Sequence, residues 1–466
     1  MFFTTHFLFL PKIQNSRTIM AVRMSDTRSR GIGIEESTQA LHEVHAQGKI
    51  IVVGAGVAGM YAAYLLHHQG FEVIVLEASS HWGGRIRALD KFASFPVEVG
   101  AEEIHGEKSF YYQIIKRANV AIFDSEGGEN LYAVEGELLN EERINENKHY
   151  KKALDLIDKI VSYEGEDISL QEYMDNQKID KSVQHILSAE LANERGTSAN
   201  RLSMKGLAYE FQHWEAGYQT FMLKKDSHTS ILENYFASIV GKVQYNKIVK
   251  AIDYSESVVN VSTQDGQTFQ ASKVILTVPL TILKANLIDF YPALPKEKER
   301  AIQKIGMGAG LKVILKFKRA FWGENTNSIF GYLVPEYWVT SYQRSNDEHV
   351  LTAFVNGTNA EFLSHQGEEA ITSILNELDN LFGEGIASTN LEKSYLMDWT
   401  KEPFIKGTYS FDKVGVGNSR QILAEPIEGR LFFAGEATCT NGHHASIHGA
   451  MESAERTVKE ILEVNF

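Results

Sequence analysis

The chain has a single cysteine, Cys439, in 466 residues. No intramolecular disulfide and no cysteine-built zinc site can form within it. No apolar run reaches the roughly 20 residues that a membrane-spanning helix needs, so no transmembrane segment is expected. Positive charge is scarce: 46 lysines and arginines face 60 aspartates and glutamates, a formal net charge of −14. Nucleic acid is therefore not an expected partner, whereas small cations are. Internal repeats are absent. The cysteine count fits a reducing compartment, and the cytoplasm is the expected location.

What remains is ordinary for a globular protein: 43% hydrophobic and 23% charged residues, with length for two domains. Residues 1–48 differ from the rest. The patch Phe7-Leu8-Phe9-Leu10 is short and follows no basic residue. Arg17, Arg23, Arg28 and Arg30 stand among serines and threonines, as in a disordered arm or a transit peptide. Met20 and Met24 are alternative starts, and Glu35 to Ala46 suits a short helix.

The most informative stretch is Ile50-Ile51-Val52-Val53-Gly54-Ala55-Gly56-Val57-Ala58-Gly59. It reads as a buried strand, a glycine turn and the start of a helix that stops at Gly70. The turn suits a diphosphate on the backbone at Gly56, and Gly59 lets the helix lie close to the strand. A second strand, Phe71 to Leu76, ends at Glu77. That acid stands about 20 residues past the glycines, where a dinucleotide ribose needs an acceptor. The context around the G-x-G-x-x-G carries more weight than the glycines alone.

Helical spacing recurs at Tyr111–Arg117, Lys151–Tyr163, Gln184–Asn193, Thr229–Ile239 and Glu368–Phe382. Hairpins are expected at Glu135-Gly136 and Asp265-Gly266. Val274 to Pro279 reads as a buried strand. Further strands are expected between Gly331 and Phe354. Alternation makes Leu311–Phe317 a strand, with Lys312, Ile314 and Lys316 on one face. By that pattern alone both lysines face solvent.

After Glu77 comes Ala78, then Gly83-Gly84-Arg85; Val97-Glu98-Val99 runs into Gly100-Ala101; Arg430 to Thr438 reads as a strand running into Gly435-Glu436. With the first glycine turn, these motifs resemble the flavin amine oxidase family, and the resemblance covers most of the chain after Lys49. It implies an α/β fold: a Rossmann-like FAD-binding domain of the two-dinucleotide-binding-domain type, with an inserted α+β substrate domain. The expected FAD-binding segments are 49–107, 228–304 and 399–466. The expected substrate-binding segments are 108–227 and 305–398.

The resemblance also implies site residues. Cofactor contacts fall on Gly54, Gly56, Val57, Ala58, Gly59, Glu77, Ala78, Gly84, Arg85, Gly100, Ala101, Ile248, Trp399, Gly435, Glu436 and Ile447. Lys312 matches the family lysine that holds a water against flavin N5. Trp399 and Tyr409 match aromatics beside the flavin. Monoamine oxidases have a flavin-bonded cysteine where Thr408 stands, so FAD is expected to be non-covalent. Ile104-His105-Gly106 looks like animal spermine and acetylpolyamine oxidases, although Glu103 replaces their usual aromatic. Ser446 stands where monoamine oxidases place a tyrosine, and the loop carrying His443 and His444 is one residue longer; both histidines are expected at the surface. No metal site is expected.

The implied activity is oxidation of an amine C–N bond to an imine, with oxygen reduced to hydrogen peroxide. His105, Tyr409 and Ser446 are the expected substrate contacts, and a polyamine is the expected substrate. A monoamine or an L-amino acid is the alternative, the latter needing an arginine that the sequence does not locate. The long coiled-coil insertion and extra helical module usual in histone demethylases of the family are not evident. From another class, a flavin-binding scaffold or sensor without turnover also fits Glu103 and Ser446.

Overall fold

The computed structural model describes residues 47–463. The helix expected over Glu35–Ala46, and all but the last two residues of the expected arm, lie outside the described residues. Gln47 and Gly48 already belong to the first strand.

A parallel five-stranded sheet runs in the order Val243–Gln244, Phe71–Leu76, Gln47–Val53, Lys273–Leu276, Leu431–Phe433. Strand Gln47–Val53 is central because it is apolar on both faces, with Ile50, Ile51 and Val52 fully buried. It leads through Gly54, at φ +107°, into helix Val57–His68. A Cβ on Gly59 would lie 2.0 Å from the Gly54 carbonyl oxygen, so the helix closes on the turn only because that side chain is missing. Strands Phe71–Leu76 and Val243–Gln244 fill one side of the central strand and the later strands the other, and the crevice at its carboxyl end, where the order reverses, is where ligands of such sheets bind. The terminal helix Ile447–Glu463 packs on the first helix through Met451, Ala454 and Val458.

A seven-stranded, mostly antiparallel sheet runs Leu391–Asp398, Gly310–Phe317, His349–Asn356, Glu336–Val339, Thr326–Phe330, Glu129–Val134, Glu137–Leu139. Strand Gly310–Phe317 is buried on both faces. Leu311, Val313, Leu315 and Phe317 meet the core beneath helices Gly357–Gln366 and Glu369–Phe382. Ile314 meets Val97, Val99, Met397 and Trp399. Lys312 shares that second face and is 4% exposed, which corrects the solvent-facing expectation. Lys316 lies farther out, near Glu348 at 3.4 Å and Glu392 at 3.7 Å.

Two expected helices have other outlines. Thr229–Ile239 is two helices, His228–Tyr235 and Ala237–Val240, with Phe236 buried between them. The Gln184–Asn193 spacing is an α-helix, Lys181–Ser188, running into a π turn, Ala189–Asn193.

Candidate active site

One cavity of about 490 Å³ runs from the glycine turn past Gly84, Gly100 and Lys312 to Tyr409, Trp214 and His105. Its volume is typical of a small-molecule site. At the turn end, a Cβ added to Gly56 would meet nothing within 4 Å: the backbone itself is the wall. Gly56 also caps helix Val57–His68 and offers its first-turn N–H groups no side-chain acceptor. Those donors and the helix dipole form a site for a diphosphate.

The Glu77 carboxylate accepts Ala55 N–H at 2.7 Å and Ser79 N–H at 2.8 Å, one on each oxygen. Each oxygen keeps a lone pair for a ribose hydroxyl. Ala78, Val57, Ala58 and Ile248 line the same end. These features fit a dinucleotide. Gly59 is absent from the lining; its work is in the packing of helix on turn.

At the middle, Arg85 donates to the Thr408 carbonyl at 2.7 Å and to Glu436 Oε1 at 2.8 Å. Glu436 also accepts from Ser410 Oγ at 2.6 Å and Ala445 N–H at 3.1 Å. Arg85 heads the causes that hold its carboxyl below the usual range against the cost of burial. Glu436 thus ties Arg85, the 408–410 segment and the start of the terminal helix together around the cavity, where Gly435 and Ile447 line the wall. Trp399 donates its indole N–H to Val99 O at 2.8 Å, which sets the ring beside Gly100 and Ala101.

Lys312 sits on the floor. Its Nζ lies 2.9 Å from Glu102 Oε2, 3.4 Å from the Glu98 carbonyl oxygen, and 4.7 Å from the centre of the Trp338 ring. Arg344 grips the other Glu102 oxygen at 3.1 Å. The sequence reading missed both partners. The adjacent acids Glu102-Glu103, which with Glu98 interrupt an otherwise apolar run from Val97 to Ile104, were the only local signal.

The far end is aromatic and acidic. Tyr409 donates its hydroxyl to Glu194 O at 2.8 Å, and burial pushes its own ionisation well up. His105 Nε2 lies 3.6 Å from Glu103 Oε2, and its ring meets Trp214 edge-on at 6.1 Å. Glu194 lines the wall, and burial, then Glu336 and Glu103, push its carboxyl well above the usual range. Ser446 also lines the cavity, but its hydroxyl donates to His443 O at 2.7 Å and accepts Gly449 N–H at 2.9 Å, capping the terminal helix. His443 and His444 are not at the surface: they are 5% and 9% exposed. His443 is held by Glu452 and packed on Trp214, while His444 lines the cavity near Glu210.

Residues 57–462 match the model of flavin-containing amine oxidoreductases. The chain belongs to this family. FAD is the family cofactor, and Thr408 supplies no thiol for a covalent link. Among relatives, the chain is 31% identical over 450 residues to the Arabidopsis thaliana protein named lysine-specific histone demethylase 1 homolog 2, covering 91% of this chain but 59% of that one. It is 27% identical over 449 residues to probable polyamine oxidase 4 of the same plant, covering 87% of this chain and 85% of the relative. The fold superposes on wild-type putrescine oxidase bound to putrescine with a TM-score of 0.75 at 22% identity, covering 89% of this chain and 99% of that one. The chain thus spans a little over half the length of the demethylase homologue.

Among the described residues no helix is long and apolar enough to cross a membrane. Among them, too, no group of three or more histidine, cysteine or acidic side chains is arranged to hold a metal ion.

Proposed function

We propose that this chain oxidises an amine C–N bond to an imine, that its substrate is a polyamine, and that oxygen is the acceptor and leaves as hydrogen peroxide. The observation that carries the reading is that one cavity joins the dinucleotide turn, Lys312 and an aromatic wall edged with carboxyls. FAD bound along the turn would supply the two-electron acceptor. The contacts we assign to it are Gly54, Gly56, Val57, Ala58, Glu77, Ala78, Gly84, Arg85, Gly100, Ala101, Ile248, Trp399, Gly435 and Ile447, with Gly59 and Glu436 shaping the site.

Lys312 donates a hydrogen bond to a water and holds it on the cavity floor, where it serves the oxidation of the amine or the hydrolysis of the imine. Tyr409, Trp214, Trp338 and Phe354 make the substrate end apolar. Desolvation there favours the neutral amine, the form that gives up its α hydrogen. Glu103 edges the same space and attracts a further ammonium group of a polyamine, while the Glu194 carboxyl offers it a hydrogen-bonding partner. His105 contacts the chain between them.

An amino-acid substrate fits less well. Arg195 is an arginine in the cavity wall, but Glu210 holds it in a bidentate pair at 3.1 and 2.7 Å. A second amine is favoured by one observation, the 31% identity to a demethylase homologue: the methylated lysine of a peptide, which would also enter as a cation.

The test is anaerobic mixing of flavin-loaded protein with spermine, spermidine, acetylated polyamines, monoamines and a methyl-lysine peptide, following the flavin absorbance. Bleaching by polyamines is expected. Bleaching by the peptide alone shifts the reading to demethylation. Retained flavin that no amine bleaches turns it to a binding protein.

A further inference from the structure

The floor of the cavity holds a buried three-charge cluster. Lys312, Glu102 and Arg344 have side chains only 5%, 1% and 2% exposed. Such clusters cost desolvation energy, and apolar side chains of similar volume often stabilise a fold as well or better. One at the lysine that faces the cavity calls for a role beyond stability.

Each part of the cluster is fixed from behind. The Arg344 guanidinium lies between the Phe95 and Phe123 rings, at 5.6 and 5.5 Å, and donates to Leu223 O at 2.9 Å and Thr340 O at 2.8 Å. The Glu102 carbonyl is held by His228 Nε2 at 2.9 Å. Burial pushes the His228 imidazole down to about 4, so it is neutral. A carbonyl only accepts, so Nε2 carries the proton and Nδ1 accepts the Tyr111 hydroxyl at 2.6 Å. Glu102 is thereby anchored at backbone and side chain. Its Oε2 has one direction in which to meet Lys312. An ammonium has three N–H groups. Glu102 and the Glu98 carbonyl take two of those on Lys312, which leaves one for the cavity.

Resting on the reading of Lys312 given above, we propose that Glu102 is a positioning residue. It aims the Lys312 ammonium so that one N–H points at the water beside the flavin, and its carboxylate keeps the amine engaged in an ion pair. Arg344 serves as the clamp that keeps Glu102 in place.

The experiment is a double-mutant cycle on the full chain: wild type, E102Q, Lys312→Met and the pair. It has two readouts. The first is the rate of anaerobic flavin reduction by the bleaching amine, with the amine's apparent dissociation constant. E102Q is expected to slow reduction about tenfold or more with little change in that constant. It is expected to add nothing in the Lys312→Met background. E102D, which keeps the charge but withdraws it by a methylene, should fall between wild type and E102Q.

The second readout needs no turnover. The flavin-stripped protein is treated with formaldehyde and a borohydride, and methylation of Lys312 is followed by peptide mass spectrometry. Faster methylation in E102Q than in wild type is expected. Equal slowing by E102Q in both backgrounds, or unchanged methylation, overturns the proposal. If E102Q does not fold, the E102Q/R344Q pair removes a buried cation along with the anion and enters the same cycle. A Lys312→Met protein as fast as wild type defeats the underlying reading by itself, and the role of Glu102 falls with it.

Discussion

Glu98 Oε1 accepts the backbone N–H of His228 at 2.8 Å, while Glu98 Oε2 has no hydrogen-bond partner among the described residues. Burial, opposed by that hydrogen bond, pushes the Glu98 carboxyl up to about 8. The folded chain therefore holds a proton on Glu98 that the unfolded chain has lost above its ordinary value of 4.5. The stability this provides is full below that ordinary value and disappears as pH rises through about 8. Glu98→Gln mimics the protonated form. It is expected to match wild type in thermal midpoint in acid and to exceed it above neutrality, with a flatter profile. Melting curves between about pH 5 and pH 9 check this.

Ser446 spends both hydrogen-bonding functions of its hydroxyl on the start of the terminal helix. Ser446→Ala should cost about 1 kcal/mol of stability. The KM for the amine should stay within about twofold, because no ground-state contact is removed. A large rise in KM with an unchanged melting point would show that the hydroxyl meets substrate.

Gly59→Ala places a Cβ 2.0 Å from the Gly54 carbonyl oxygen and 2.8 Å from Thr277 Oγ1. The helix must then move off the turn, and Gly54 to Gly56 move with it. Overpacking of this kind costs about 1–3 kcal/mol. The variant is expected to purify with little flavin and to melt earlier, with added FAD restoring part of the loss. The flavin-to-protein absorbance ratio measures it.

The dinucleotide half was legible because its signals are local. Strand, turn, helix, strand and acid follow one another from Ile50 to Glu77, and each is set by residues a few positions apart. Short elements gave no period to read. The three-stranded sheet of Ile104–His105, Thr220–Leu223 and Ile122–Asp124 has strands of two to four residues. The burial of Lys312 was out of reach for a different reason. Alternation shows which face a residue takes, but not whether another layer covers that face, and Val99, Met397 and Trp399 come from distant parts of the chain. Glu102 and Arg344 are 242 positions apart, so although the acids at 102 and 103 stand out in a mainly apolar run, nothing in either neighbourhood says which cation pairs with them. His443 and His444 sit in a polar loop that looks exposed; Trp214 and Glu210, which bury them, lie more than two hundred positions away.

The most direct test of the central claim is the anaerobic half-reaction of Lys312→Met beside wild type, each loaded with flavin and mixed with spermine in a stopped-flow instrument. The account predicts that both bind flavin alike and that wild-type flavin bleaches rapidly. Bleaching of the Lys312→Met flavin should be slower by about a hundredfold or more, a loss of transition-state stabilisation of about 3 kcal/mol. Equal rates in the two proteins would contradict the place given to Lys312 at the centre of the site.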